Sequence, residues 1–200
     1  MKKLLVLVPV VLFLVGCGGG EKDYWPVTVG NIWNYQQVTN VTAPETTITF
    51  TDTMKVEVTK ETTLDNNTAV FEVIQSSGTY ADTSYWQKTD EYLFWYDDKA
   101  DTEPDTTLVF PIEEGNSWNV HKDSSYTETM HVIGKESVTV PAGTYDDCWK
   151  GMDISTDGTI AETSYVWLAP DIGWVKMTST EADSNWTATT NIELLNATIK

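Results

Sequence analysis

Two acidic residues stand at matching places in a repeated segment of the sequence. Asp52 lies in Phe50–Val56, which reads FTDTMKV, and Glu128 lies in Tyr126–Val132, which reads YTETMHV. Both acids are in phase with the apolar residues around them. Two related carboxylates facing one interior could bind a cation, or act as an acid and base pair as in glycosidases. Alternatively, each acid lies where its strand bends out to the rim, because a buried unpaired carboxylate costs several kcal/mol.

Other catalytic and metal-binding residue types are sparse. Neither His121 nor His131 has a cysteine or a second histidine at ligand spacing. The sequence contains no nucleophile elbow, zinc-protease motif or phosphate-binding loop. The acid-rich segment 96–105 could hold calcium, but its spacing departs from the twelve-residue calcium loop, which favours a solvated linker. We therefore expect no enzymatic activity, no metal site and no cofactor.

Aromatic residues form a further group of candidates. The chain has nine tryptophans, and most of them should lie in the core of a β-domain that has no helix. Some could line a groove for a sugar ring, a lipid tail or a partner strand. We take Trp33, Trp118 and Trp167 as ligand-binding candidates, together with Asp52 and Glu128. The wider aromatic set is Trp33, Tyr35, Trp86, Trp95, Trp118, Trp149, Tyr165, Trp167, Trp174 and Trp186.

The N-terminus has the pattern of an export signal. Two lysines precede an apolar run, Leu4–Val15, that is too short for a comfortable membrane span. The segment Leu14-Val15-Gly16-Cys17 resembles the lipobox of bacterial lipoproteins, which implies that Cys17 is diacylated and becomes the first residue. Gly18 stands where an aspartate would mark inner-membrane retention, so the resemblance implies the outer membrane. We predict a signal peptide at 1–16 and a lipidated tether at 17–23, with the membrane as partner through this anchor.

The chain is strongly acidic, with a formal net charge of −18 for the whole sequence at pH 7. An acidic surface repels phosphate groups, so we expect no nucleic-acid binding. With Cys17 acylated, Cys148 has no partner for an intramolecular disulfide. Its neighbours Asp146 and Asp147 disfavour a reactive thiolate, so we expect Cys148 to be buried as a small apolar residue.

The chain contains an internal duplication. WPVTVGNIWNYQ at 25–36 returns as FPIEEGNSWNVH at 110–121, and Ala81–Trp86 returns as Ala161–Val166. Alternation of apolar and polar residues, as in Thr47–Lys60, predicts half-buried strands, of which we expect about eleven. A sheet of that size curls or closes. We therefore predict one all-β domain at 24–200, a curved antiparallel half-barrel or barrel built from two duplicated meanders, with repeats at about 24–105 and 107–181 and a C-terminal strand at 185–199.

Each repeat opens with a proline and a glycine at fixed spacing. Pro26 and Pro111 suit the first position of a single helical turn, and Gly30 and Gly115 can adopt the left-handed conformation that ends it. A strand should begin directly afterwards. We expect its first inward side chains to place an aromatic wedge at the start of each half.

Three motifs resemble a group of bacterial lipoproteins and secreted proteins of unassigned function. They are the Pro-x-x-x-Gly-Asn-x-Trp openings, VTVPAGTY at 138–145 and WLAPDIGWVK at 167–176. The resemblance implies hairpin corners at Pro141–Gly143 and Pro170–Gly173. It also implies a half-barrel similar to that of the carriers that move lipoproteins to the outer membrane, although those carriers add helices that this sequence lacks.

Together these features predict a lipoprotein anchored in the outer membrane, on its periplasmic face or at the cell surface. We expect an aromatic concave face to bind a hydrophobic or carbohydrate ligand, or another envelope protein. Two alternatives stay open. One is a hydrolase of envelope glycans that uses Asp52 and Glu128, and the other is a passive acidic surface protein.

Overall fold

The computed structural model describes residues 22–122, 126–156 and 161–200. The predicted signal peptide, Cys17 and positions 18–21 of the tether lie outside the described residues. In the described ranges the chain forms twelve strands, and no helix there is long and apolar enough to cross a membrane. The strands are β1 (Ile32–Ala43), β2 (Thr46–Thr63), β3 (Ala69–Ser77), β4 (Tyr80–Lys88), β5 (Tyr92–Tyr96), β6 (Asp105–Val109), β7 (Ser117–Lys122), β8 (Thr127–Val140), β9 (Gly143–Thr156), β10 (Ala161–Ala169), β11 (Gly173–Ala182) and β12 (Thr187–Thr198).

The strands form one antiparallel sheet that closes almost completely into a barrel. Their order is β6-β5-β4-β3-β2-β1-β12-β11-β10-β9-β8-β7. Each half is therefore a six-stranded meander, and the ladder between β1 and β12 joins the halves. At the two ends of the sheet, β6 lies beside β7, and Trp118 Nε1 donates to the carbonyl oxygen of Thr106 at 2.9 Å. The predicted barrel of two duplicated meanders is confirmed, with β12 as the last strand of the second half.

Backbone hydrogen bonds show how the two halves correspond. The amide of Gly30 donates to the carbonyl of Val58 at 2.8 Å, and the amide of Gly115 donates to that of Val132 at 2.9 Å. In both halves the register of the next ladder shifts directly after this valine. Val58 is thus the counterpart of Val132, whereas the sequence repeat aligns Val56 with Val132.

This two-residue difference separates the two candidate acids. Asp52 corresponds to Tyr126, and Glu128 corresponds to Met54, which is buried. A slip of two residues leaves every side chain on the same face of the sheet, so alternation alone does not detect it. The prediction that Asp52 and Glu128 occupy one repeat position is wrong.

The opening motif of each half forms a tight turn. The amide of Asn31 donates to the carbonyl of Thr28 at 3.0 Å, which closes a four-residue turn whose third residue, Gly30, has φ of 88°. The second copy closes in the same way, with Gly115 at φ of 86°. The left-handed glycines are confirmed. The predicted helical turn is wrong, because the amide of Gly30 bonds to the neighbouring strand instead.

The predicted corners also join strands. Pro141–Gly143 connects β8 to β9, and the amide of Ala142 donates to the carbonyl of Leu194 at 3.0 Å. Pro170–Gly173 connects β10 to β11. Both segments are hairpin corners, as the resemblance implied.

The core fills one end of the barrel. Along β2, Met54, Val56 and Val58 are buried, as the alternation predicts. Further along the same strand, Ile48 and Phe50 are 50% and 57% exposed, contrary to that pattern. We call the end that contains Gly30 and Val58 the closed end, and the end that contains Ile48 and Phe50 the open end.

The tether is fixed to the closed end from Lys22 onward. The amide of Asp23 donates to Asp171 Oδ1 at 3.1 Å, and the amide of Asp171 donates to the carbonyl of Asp23 at 2.7 Å. Lys88 Nζ lies 2.6 Å from Asp23 Oδ1, and Lys22 Nζ lies 3.0 Å from Asp147 Oδ2. These contacts hold the start of the described chain against the corner between β10 and β11 and the end of β4.

Candidate functional site

A cavity with aromatic walls lies inside the barrel near the closed end. Its volume is about 110 Å³. No charged side chain lines it, and one residue of the lining, Gln75, is exposed. The lining residues are Trp25, Pro26, Trp33, Tyr35, Val56, Val73, Gln75, Trp86, Trp95, Gly173 and Trp174.

Strand alternation and sheet closure bring these side chains together. Trp33 and Tyr35 are two apart on β1, so they share one face and both are buried. Trp86 on β4 and Trp95 on β5 are direct cross-strand partners. Trp174 on β11 reaches the ring of Tyr35 with a centroid distance of 4.5 Å. The wall therefore combines both halves of the chain.

Trp86 is at the centre of this wall. Its ring centroid lies 5.4 Å from that of Trp25 and 5.4 Å from that of Trp95. Its side chain is 4% exposed. These tilted contacts are typical of packed aromatic groups, so Trp86 connects the chain before β1 to the β4–β5 hairpin.

Three of the five indole N–H groups in the wall have no acceptor in the described part of the protein. These belong to Trp25, Trp86 and Trp174. The other two are satisfied, because Trp33 donates to the carbonyl of Ile172 at 2.7 Å and Trp95 donates to Asp97 Oδ1 at 2.9 Å. Buried N–H groups are normally hydrogen-bonded, and an unpaired one costs about 1–3 kcal/mol. The cavity thus has an almost entirely apolar surface, and the three unpaired N–H groups are buried within the packing of its wall.

The corresponding region of the second half is filled. There Met130 and Gly151 occupy the positions that Val56 and Val73 hold in the first half. A β-carbon on Gly151 would lie 2.8 Å from Met130 Sδ, so the methionine occupies the space beside this glycine. The volume left there is about 10 Å³. The duplicated architecture therefore does not by itself produce the larger cavity.

Asp52 lies away from the aromatic cavity, toward the open end. It is exposed, and its carboxylate accepts hydrogen bonds from the Ser77 hydroxyl at 2.6 Å and from the amide of Thr53 at 2.7 Å. These two donors lower the pKa of Asp52 from its ordinary value. Five strands stand between β2, which carries Asp52, and β8, which carries Glu128. The structure thus gives the two candidate acids separate surroundings.

Glu128 instead forms a carboxyl pair with Asp153. Glu128 lies close enough to act on the titration of Asp153, and Tyr126 Oη donates to Glu128 Oε2 at 3.1 Å. Burial, followed by the charge of Glu128 and then that of Glu162, raises the pKa of Asp153 to about 7. Asp153 Oδ1 is buried without a donor in the described residues. Asp153 was missed by the sequence analysis, although it lies in phase with Gly151 and Ser155 on β9.

Two of the three tryptophan candidates lie outside the cavity. Trp118 bridges β7 and β6 at the barrel seam. Trp167 lies between its cross-strand neighbours Lys150 and Lys176, whose Nζ atoms are 5.0 and 5.9 Å from its ring centroid. Its Nε1 donates to Glu136 Oε1 at 2.6 Å. Of the three candidates, the structure places only Trp33 in the aromatic wall.

The remaining polar candidates have partners within the protein. His121 Nδ1 lies 2.6 Å from Asp105 Oδ1, across the seam between β7 and β6. In the acidic segment, Asp98 and Asp101 accept hydrogen bonds from nearby backbone amides. Across the ranges that the structure covers, no group of three or more histidine, cysteine or acidic side chains is arranged to hold a metal ion.

Cys148 is fully buried, as predicted. Its thiol contacts the carbonyl oxygen of Tyr145 at 3.4 Å. Burial, with the charges of Asp146 and Asp147, raises the pKa of the Cys148 thiol to about 11. Cys148 is therefore a packing residue of the core.

A wider cleft of about 710 Å³ lies at the closed end beside the tether. Two of its three lysines are neutralised, because Lys22 pairs with Asp147 and Lys88 pairs with Asp23. The third, Lys135, lies over the ring of Trp149 at 4.6 Å from its centroid. Since its three lysines are engaged within the protein, this cleft is a weaker candidate than the aromatic cavity.

The barrel is similar in fold to solved structures of bacterial proteins. It is similar over 88% of this chain and 99% of the other to a "putative exported protein" with a YmcC-like fold from Bacteroides fragilis, at 12% identity and a TM-score of 0.52. It is also similar over 88% of this chain and 99% of the other to a "putative lipoprotein" from Parabacteroides distasonis, at 16% identity and a TM-score of 0.49. At 12% identity, the likeness to the Bacteroides protein establishes a common fold.

Part of the chain also matches a described family. Residues 95–192 match the model of the DUF3108-like family, so this part of the chain is similar to that family. No curated protein matches the sequence.

Proposed function

We propose that this protein is a lipoprotein of the outer membrane that binds a small ligand in its tryptophan cavity and catalyses no reaction. The single observation that carries the binding role is the difference between the halves. In the second half, Met130 fills the space beside Gly151. In the first half, the corresponding region has a cavity of about 110 Å³ between aromatic rings. An aromatic cavity that the fold does not require indicates a ligand site.

The chemistry of the wall favours binding over catalysis. Tyr35 is the ionisable residue of the lining, and burial raises its pKa well above its ordinary value. It therefore stays protonated near neutral pH, and its hydroxyl donates to the carbonyl of Trp174 at 2.9 Å. The wall has no group suited to exchange a proton with a ligand.

The cellular location rests on the N-terminal sequence. The charged start, the apolar run and the Leu-Val-Gly-Cys segment ending at Cys17 together favour acylation of that cysteine. Gly18 favours the outer membrane. Replacing Cys17 with alanine should move the protein from the membrane fraction to the soluble fraction, whereas Cys148→Ala should leave it in the outer membrane. Retention of the Cys17 variant in the membrane would count against the anchor.

Binding can be tested with ring-sized probes, because the natural ligand is unidentified. We expect benzene or 1,4-dioxane to raise the melting temperature of the purified protein, since a ligand of the folded state alone must stabilise it. Gln75→Phe, which places a larger side chain in the lining, should abolish this shift. Ile74→Phe is the matched control, because Ile74 is adjacent on β3 but faces the other side of the sheet. If neither probe shifts the melting temperature, the cavity is not a binding site.

A further inference from the structure

The polar atoms of the aromatic wall are engaged within the protein or buried in its packing. The indole N–H of Trp33 and the hydroxyl of Tyr35 donate to backbone carbonyl oxygens at 2.7 and 2.9 Å, and the indole N–H of Trp95 donates to a carboxylate at 2.9 Å. The other indole N–H groups have almost no accessible surface, and they belong to Trp25, Trp86 and Trp174. The surface that a ligand would meet is therefore almost entirely carbon.

The wall is also uncharged. No charged side chain lines the cavity, and the buried side chains of Val56 and Val73 add aliphatic surface to the aromatic rings. Gln75 adds an amide side chain to the lining, and this residue is exposed to solvent. A charged or strongly hydrated ligand would lose its water here without gaining a compensating partner, so the wall favours a neutral and apolar one.

The volume of the cavity limits the size of its occupant. A cavity of about 150 Å³ with apolar walls accommodates one benzene ring, whereas pockets for drug-sized ligands are about 300–1,000 Å³. At about 110 Å³, this cavity has room for a single small ring. It is too small to enclose a long acyl chain, which excludes the cargo of the lipoprotein carriers as its occupant.

We infer that the cavity binds a neutral hydrocarbon group of about one ring, aromatic or alicyclic, in preference to a sugar ring of similar shape. This inference rests on the function proposed above, and it decides between the hydrophobic and carbohydrate ligands that the sequence leaves open. A hydrocarbon ring gains contact with the aromatic wall at no cost in lost hydrogen bonds. A sugar ring would lose the hydration of its hydroxyl groups, because the wall offers them almost no polar surface.

Two probes of nearly equal shape test this inference. Benzene and pyridine are both flat six-membered rings and both are uncharged at pH 8, but pyridine carries a hydrated ring nitrogen. We expect benzene to bind about tenfold more tightly than pyridine, because that nitrogen loses its water in the cavity. The dissociation constants follow from the rise in melting temperature of the full protein with probe concentration. Glucose, as the sugar probe, should not change the melting temperature.

Variants assign the preference to the wall. Val56→Thr adds a hydroxyl to the lining at nearly constant shape, so we expect it to weaken benzene binding by about fivefold and to reduce the preference over pyridine. Val73→Thr repeats the test on β3. Val58→Thr is the matched control, because Val58 is buried on the same face of β2 as Val56 but lies outside the lining. It should leave the preference unchanged.

The outcomes separate this inference from the proposed function. If pyridine, 1,4-dioxane or glucose binds as tightly as benzene, the ligand class is wrong while the cavity is still a binding site. An unchanged preference in both Val56→Thr and Val73→Thr would also overturn the ligand class, because the polarity of the wall would then not set it. If none of the probes binds, both proposals fail. A preference for benzene that falls in the lining variants and persists in Val58→Thr supports both.

Discussion

The sulfur of Met130 lies against Gly151 so closely that a β-carbon at position 151 would be only 2.8 Å from it. This contact fills the second half of the barrel where the first half has its cavity. A methionine on β8 and a glycine on β9 thus account for the difference in cavity volume between the two halves.

Shortening Met130 should open a second cavity. Met130→Ala removes the side chain that packs on Gly151, and loss of a core methionine costs about 2–5 kcal/mol. Because Met130 is partly exposed, we expect urea unfolding to show a loss of about 2 kcal/mol in the free energy of unfolding. Benzene titration should then reveal two sites per chain instead of one. An unchanged stoichiometry would show that the neighbouring side chains collapse into the space.

Two buried tryptophans should differ in their tolerance of phenylalanine. Trp33→Phe leaves the carbonyl of Ile172 without its donor, whereas Trp86→Phe removes an N–H that has no acceptor in the described residues. An unpaired buried polar group costs about 1–3 kcal/mol. We therefore expect Trp33→Phe to be more destabilising by about 1 kcal/mol or more in chemical denaturation. Equal losses would indicate that the N–H of Trp86 is already satisfied in the protein.

Stability should depend on pH through Asp153. Its folded pKa of about 7 lies above the ordinary value for an aspartate of about 4. Between these values the folded protein binds a proton that the unfolded chain does not, so the free energy of unfolding falls as pH rises from about 4 to about 7. We expect Asp153→Asn to reduce this slope relative to the unmodified protein, measured by melting at a series of pH values.

Asp52→Asn is the control for that experiment. The Ser77 hydroxyl and the Thr53 amide lower the pKa of Asp52, so its contribution is present above the unfolded pKa and is lost only as the solution becomes more acidic. This variant should leave the slope above pH 5 unchanged. A slope that disappears in Asp52→Asn and persists in Asp153→Asn would contradict the assignment.

The turn at Gly115 offers a clean measure of backbone strain. Its φ is 86°, and an added β-carbon would meet no atom within 4 Å. Gly115→Ala should therefore destabilise the protein by about 1–2 kcal/mol through the unfavourable conformation alone. Gly115→Asn should cost less, because asparagine tolerates this conformation better. Equal costs for the two variants would indicate an effect other than backbone conformation.

Cys148 should be unreactive toward alkylating agents in the folded protein. It is 0% exposed, and its thiol pKa is raised to about 11. Only the thiolate reacts readily with alkylating agents. We expect no modification by iodoacetamide at pH 8 under native conditions and complete modification in denaturant. Rapid native labelling would show that the β8–β9 corner opens.

The general fold was accessible from the sequence, whereas the precise register was not. Alternation in Thr47–Lys60 predicted β2 and the face that buries Met54 and Val56. A period of two fixes which face a residue occupies but not its place along the strand, so the equivalence of Asp52 and Glu128 was wrong by two residues. The hydrogen bonds of Gly30 and Gly115 define the true alignment.

The cavity was only partly predictable because its walls come from distant parts of the chain. Trp33 was identified from the repeat, but Trp25 precedes the first strand and was not among the candidates. Trp86 and Trp174 come to line one cavity only after the sheet curves and the halves join at β1 and β12. Likewise, Asp153 becomes a partner of Glu128 through the register between β8 and β9. Local pattern carries no information on such long-range contacts.

The attachment of Asp23 to Asp171 and Lys88 sets how the barrel would stand on a bilayer. From Cys17 to Lys22 the chain can extend at most about 18 Å, so a lipid on Cys17 would hold the closed end against the headgroups. Gln75 lies further from that end along β3 than Val73, whose ladder partner is Val58. The exposed lining residue Gln75 would therefore face the water-filled compartment and not the lipid phase.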